Sequence, residues 1–254
     1  MHPEDHEEDA SKALQRAARI LRAAKRVAVL TGAGVSAESG LGTFRGAGGL
    51  WEGHRVEEVA TPSAFRRDAA LVWRFYHMRR AALARVQPNA GHHALVALEN
   101  RLGPDAFTLV TQNVDGLHQA AGSRNVLEIH GALRHVRCTG CQAVTDRGTE
   151  ALADLPVCDT CGQLLRPNVV WFEEALPANV WKKSEQAVAA CDCFVVIGTS
   201  AVVYPAAGLI DLARMEGAAV IEVNVVRSEA SGRVDVLLLG PSGSVLPELI
   251  KRLE

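Results

Sequence analysis

Four cysteines constrain this 254-residue chain more than any other feature. Cys138 and Cys141 form one C-x-x-C pair, Cys158 and Cys161 a second, and sixteen residues separate the pairs. Two matched pairs at that spacing describe a tetrahedral four-thiolate zinc site. Four thiolates leave no position for water or substrate, so the expected ion is structural. Redox or disulfide use of the same residues suits a secreted chain, and no secretory signal pattern precedes them. The remaining cysteines, Cys191 and Cys193, precede an apolar run and are expected to pack as small hydrophobes.

On both sides of the quartet the pattern alternates between short apolar runs and helical periodicity. Val27–Leu30, Phe107–Thr111, Val126–His130, Val169–Phe172, Phe194–Ile197, Val220–Val223 and Val234–Leu239 read as strands. Ser11–Lys25, with Ser11 as N-cap, Leu71–Arg85, Asn89–Arg101, Ala178–Ala190, Ala206–Met215 and a segment from Ser244 read as helices. Such alternation predicts an α/β fold: a Rossmann-like, doubly wound parallel sheet carrying an inserted small zinc-binding domain. The expected boundaries are 11–45, 88–132 and 168–254 for the large domain. The small domain takes 46–87, a helical part, and 133–167, the zinc module. Residues 1–10, with five acidic residues, read as a flexible tail.

Bulk composition excludes several classes. A net charge of -2 supplies no field for nucleic acid or an anionic membrane surface. No apolar run reaches spanning length, and the acidic start is unlike a transit peptide. The expectation is a soluble, cytoplasmic, monomeric protein.

Polar residues cluster where the predicted strands end: Thr31–Glu38, Gln112–Asp115, Gly198–Ser200 and Asn224. Open parallel sheets bind ligands outside those ends. Gly32, Gly34 and Gly40 would let the backbone approach a pyrophosphate. Taken alone, the same glycines also describe an ordinary strand-to-helix turn, and His130 alone describes a structural hydrogen-bonder. A neutral imidazole is nonetheless suited to take a proton from a sugar hydroxyl near pH 7.

Together these residues carry a resemblance. Gly32-Ala33-Gly34-Val35-Ser36-Ala37-Glu38-Ser39-Gly40 with Thr43-Phe44-Arg45 resembles the first signature of the sirtuins, the NAD-dependent protein lysine deacylases. Gln112-Asn113-Val114-Asp115 resembles the second, and Glu128-Ile129-His130-Gly131 the catalytic histidine segment. The cysteine quartet, Gly198-Thr199-Ser200 and Asn224 follow in the family's order. The resemblance implies NAD as co-substrate, one structural zinc ion, and acyl-lysine proteins or peptides as substrates. It implies a cofactor surface of Gly32, Ala33, Gly34, Ser36, Glu38, Thr43, Phe44, Arg45, Trp51, Gln112, Asn113, Asp115, Gly198, Thr199, Ser200, Asn224 and Ser242. His130 and Asn113 would be the catalytic residues, His130 as the general base and Asn113 at the nicotinamide end. The implied products are free lysine, nicotinamide and O-acyl-ADP-ribose.

The acyl group is suggested by a helix. Tyr76 and Arg79 are three apart and share a face, and a phenol beside a guanidinium can clamp a carboxylate. This resembles the class III members, which remove succinyl, malonyl or glutaryl groups. Ala60, before Thr61-Pro62, would keep the acyl pocket wide enough to admit acetyl as well. Val170, Phe172, Glu173 and Glu174 resemble the segment that pairs with substrate peptide, with Glu173 standing where the family usually has glycine. Gly42 stands where many members have proline. Two other functions use the same parts: a protein ADP-ribosyltransferase, and a non-catalytic NAD-sensing zinc protein.

Overall fold

The computed structural model describes residues 3–42 and 53–253. Helix α1 (Pro3–Ala23) is followed by strand β1 (Val27–Thr31) and a 3-10 helix (Ala33–Ser39). Helices α2 (Val56–Val59), α3 (Pro62–Arg67), α4 (Ala69–Leu83) and α5 (Ala90–Leu102) come next. Then come β2 (Phe107–Thr111), α6 (Leu117–Ala121) and β3 (Val126–Glu128). Strands β4 (Gly131–Cys138), β5 (Val144–Asp146) and β6 (Leu165–Val169) occupy the cysteine segment. The chain closes with α7 (Ala178–Ala189), β7 (Cys193–Ile197), α8 (Gly208–Met215), β8 (Ala219–Asn224), β9 (Val236–Leu239) and α9 (Ser242–Lys251).

Six strands form one sheet in the order β3-β2-β1-β7-β8-β9, with every pairing parallel. With β4–β6 set aside, the order is that of a Rossmann sheet. The direction of winding reverses between β1 and β7, which opens a crevice at their C-terminal ends. Alternate residues of β1 serve opposite faces. Val27 and Val29 pack with Leu95, Leu98, Leu246 and Leu249, while Ala28 and Leu30 pack with Val188, Leu209 and Ile210. Cys193 and Cys191 are buried, one in each of these clusters, as their apolar surroundings suggested. Among the described residues no helix is long and apolar enough to cross a membrane.

The cysteine segment makes a separate antiparallel sheet, β5-β4-β6. Helix α4 docks on it through a face of Val72, Trp73, Phe75, Tyr76, Arg80 and Leu83. The Trp73 indole donates to the Leu165 carbonyl at 2.9 Å. Buried Arg80 donates to the carbonyls of Leu133 and, at 3.1 Å, Glu150. A third apolar cluster, running from Val59 to Trp171, lies at this junction.

Two expectations are corrected. Helix α1 begins at Pro3 and not at Ser11. Proline suits a first helical turn. The strand expected over Val169–Phe172 lies earlier, at Leu165–Val169. It is an edge strand of its sheet, where Pro167 is tolerated. The chain then turns, with the Glu174 amide donating to the Trp171 carbonyl at 3.1 Å.

Candidate active site

A cavity of 690 Å³ opens at the C-terminal ends of β1, β2, β7 and β8 and extends to α4. That volume suits a cofactor-sized ligand. Its floor is made where two strand-end loops meet backbone to backbone. A Cβ on Gly32 would lie 2.8 Å from the Gly198 carbonyl oxygen, and one on Gly34 would lie 2.7 Å from Gly198 Cα. Gly198 itself has φ +59. Any side chain there would force the loops apart. Gln112 donates to Thr199 Oγ1 at 3.1 Å and Asn224 to the Thr199 carbonyl at 2.8 Å, so the four strand-end loops are cross-linked.

The deepest wall is polar and buried. Asn113, 8% exposed, donates to Ser36 Oγ at 3.1 Å, and Ser36 donates to Asp115 at 2.8 Å. Behind them His118 Nε2 lies 2.9 Å from Thr31 Oγ1, which donates to Thr111 Oγ1 at 2.8 Å. The rings of His92 and His118 lie 4.8 Å apart. Burial pushes both histidines down, His118 to about 3 with His92 adding to the effect. Burial thus favours the neutral forms of both histidines behind the wall.

His130 joins the wall from the turn after β3. Its Nδ1 lies 3.0 Å from the Gln112 carbonyl, and burial holds its pKa below the ordinary value against that bond. Gly131 follows with φ +76, and a Cβ there would lie 2.2 Å from the Asn168 carbonyl oxygen. Only glycine lets the chain pass from His130 into β4 this closely. The Val170 amide donates to the His130 carbonyl at 2.8 Å.

The far side of the cavity is built by α4 and the segment after β6. Ala60, Tyr76, Arg79, Val170, Phe172, Glu173 and Glu174 all line it. The Phe172 amide donates to the Ala60 carbonyl at 3.0 Å. Tyr76 is 1% exposed, and burial pushes its phenol up against the opposing pull of Arg79. Arg79 Cζ stands 5.9 Å from the Tyr76 ring centroid. A neutral hydroxyl donor and a cation thus share one end of the cavity. Glu174 keeps its carboxylate on Arg166, at 2.6 and 2.8 Å, and on the Trp171 amide. Glu173 adopts φ +72, the left-handed region that explains a usual glycine at this place.

Most expected cofactor residues line the cavity, but Glu38 and Ser242 do not. They meet each other instead: Ser242 Oγ donates to the Glu38 carboxylate at 3.2 Å, and the Gly243 amide does so at 2.6 Å. A carboxylate at the start of α9 satisfies donors that the helix cannot. Thr43, Phe44, Arg45 and Trp51 lie outside the described residues. Gly42, Val202–Pro205 and Val225–Ser228 also line the cavity. The last two groups were missed in the sequence, although each directly follows a strand-end motif already singled out.

The four cysteine sulfurs lie within 4.8 Å of one another, with Cys138 to Cys161 at 3.4 Å and Cys141 to Cys158 at 3.8 Å. Zinc–sulfur bonds of about 2.3 Å in a tetrahedron place sulfurs about 3.8 Å apart, so the cluster fits a zinc ion. A disulfide needs about 2.05 Å. The cavity fits NAD on equal grounds: a glycine cradle, a switch-point crevice and a buried polar end.

Comparison with known proteins agrees with this geometry. The model of the Sir2 family matches residues 32–205. NAD-dependent protein deacylase 2 of Pyrobaculum aerophilum is 46% identical over 239 residues, 93% of this chain and 94% of that protein. The mitochondrial NAD-dependent protein deacylase sirtuin-5 of Xenopus tropicalis is 44% identical over 91% of this chain and 83% of its own length. A crystal structure of a Sir2 homologue–NAD complex superposes with a TM-score of 0.87 at 43% identity, covering 94% of this chain and 93% of the other.

Proposed function

This chain belongs to the Sir2 family of NAD-dependent protein deacylases, and from that premise we propose that it removes acidic acyl groups from protein lysines. Succinyl, malonyl and glutaryl are the preferred groups and acetyl a slower one. The observation that carries this reading is that Tyr76 and Arg79 line the same cavity as His130. An acyl chain entering beside His130 would present its distal carboxylate to a buried hydroxyl and a guanidinium, the donors best matched to it. Ala60 leaves room beside them.

Bound NAD supplies the ribose that accepts the acyl group and the nicotinamide that leaves. The residues of this chain would do the rest. Asn113, Ser36 and Asp115 would orient the nicotinamide end in the deep wall. His130 would take a ribose hydroxyl proton at Nε2, since the Gln112 carbonyl occupies Nδ1. Ser200, Thr199 and Asn224 would bind the adenosine side. Peptide would lie along Val170–Glu174, which lines the cavity. The zinc ion would hold β4–β6, the platform against which α4 places Tyr76 and Arg79, and would take no part in the chemistry.

The test compares matched succinyl-lysine and acetyl-lysine peptides with NAD. Faster loss of succinyl is expected. Arg79→Met should lower succinyl kcat/KM roughly 10- to 100-fold, the worth of a charge-assisted hydrogen bond, and acetyl kcat/KM far less. Equal rates on both peptides in the wild type would defeat the acidic-acyl reading and leave deacylation standing.

A further inference from the structure

Trp171 is 3% exposed and follows directly on the cavity-lining Val170. Its indole N–H donates to the Tyr76 hydroxyl at 2.9 Å. A phenol oxygen can accept while its own O–H donates. With the indole in an acceptor position, the Tyr76 proton is left to serve another acceptor, and the residue borders the cavity. Donating into a hydroxyl also polarises its O–H, which strengthens the next bond in the chain.

The indole is held in turn. Arg166 Cζ stands 3.5 Å from the Trp171 ring centroid, and the Phe65 ring centroid lies 5.3 Å away. Arg166 cannot drift, because it forks onto both oxygens of Glu174 at 2.6 and 2.8 Å and donates to the Val169 carbonyl at 3.0 Å. Glu174 also accepts from the Trp171 amide at 2.8 Å. The Arg166 and Glu174 side chains are only 12% and 23% exposed, so this ion pair is screened less than a surface one. One polar cluster therefore fixes both the ring and the backbone of Trp171. A phenylalanine would fill most of the same space, but only an indole supplies the N–H.

We infer that Trp171 is a positioning residue for acidic acyl groups: it holds the Tyr76 hydroxyl so that the phenol donates to the substrate carboxylate, and the Arg166–Glu174 pair holds Trp171. This inference rests on the acidic-acyl reading above. An acetyl group has no carboxylate to receive that proton, so the effect is selective.

The test is steady-state kinetics of wild type, Trp171→Phe, Tyr76→Phe and the double variant on matched succinyl- and acetyl-lysine peptides. Trp171→Phe should lower the succinyl-to-acetyl ratio of kcat/KM about tenfold, mainly by raising KM for the succinyl peptide. In a Tyr76→Phe background it should lower the ratio no further. A purely structural defect would depress both peptides together. If Trp171→Phe does not fold, judged by melting and zinc content, the indole N–H resonances of the wild type replace it. One of the four should move on adding succinyl-lysine peptide and should be displaced in Tyr76→Phe. A wild-type enzyme without succinyl preference overturns both the acidic-acyl reading and this inference. A wild-type preference that Trp171→Phe retains, or indole signals that ignore both the succinyl peptide and Tyr76→Phe, overturns the role of Trp171 alone.

Discussion

The Nδ1 atom of His130 lies 3.0 Å from the carbonyl oxygen of Gln112, and a carbonyl can only accept. The neutral imidazole therefore carries its proton on Nδ1 and keeps Nε2 basic. Burial favours that neutral form and lowers the pKa below its ordinary 6.5. A base with a depressed pKa stays ready as pH falls and is lost only below the depressed value. The acid limb of kcat/KM should have its midpoint below pH 6.5. His130→Ala should lower kcat by about 10²- to 10⁴-fold. A limb at or above pH 6.5 would contradict this assignment of the base.

Zinc should be present at one ion per chain, bound by Cys138, Cys141, Cys158 and Cys161. Cys138 ends β4 and Cys141 follows it, Cys158 and Cys161 precede β6, and α4 packs on the same sheet. Chelation should lower the melting temperature by about 10 °C or more and abolish activity together with structure. Elemental analysis and melting curves check this. Full stability in the zinc-free protein would show that the sheet needs no metal.

Gly198→Ala should fold poorly or lose NAD affinity by at least about tenfold. A Cβ there would lie 2.5 Å from the Val35 amide nitrogen, and φ +59 adds a left-handed penalty. That nitrogen is backbone and cannot swing away as a side chain could, so the cost is on the order of 2–4 kcal/mol. Calorimetric titration with NAD measures it; wild-type affinity in the variant would mean that the two loops can separate freely.

Much of this fold was legible because buried parallel strands are continuous apolar runs. Val27–Leu30 and Phe107–Thr111 needed only that pattern, and the cysteine spacing needed only zinc geometry. The polar clusters after β1, β2, β7 and β8 were legible because they stand at strand ends, and the structure places them on the cavity. What stayed hidden depends on partners distant in sequence. His92 and His118 sit on helices with no local mark of their burial, and they meet only because α5 and α6 fold over the ends of β1 and β2. Glu38 reads as part of a cofactor loop, yet it is drawn to the start of α9, over 200 residues away. Trp171 reads as one more apolar residue of a strand. Its hydrogen bond to Tyr76 spans 95 residues, and no periodicity announces it.

The most direct measurement follows NAD and a succinyl-lysine peptide together by mass spectrometry. Each succinyl group lost should be matched by one nicotinamide and one O-succinyl-ADP-ribose, and His130→Ala should abolish all three signals. A peptide that keeps its succinyl group and gains the mass of ADP-ribose would instead mark a transferase and contradict the deacylase account.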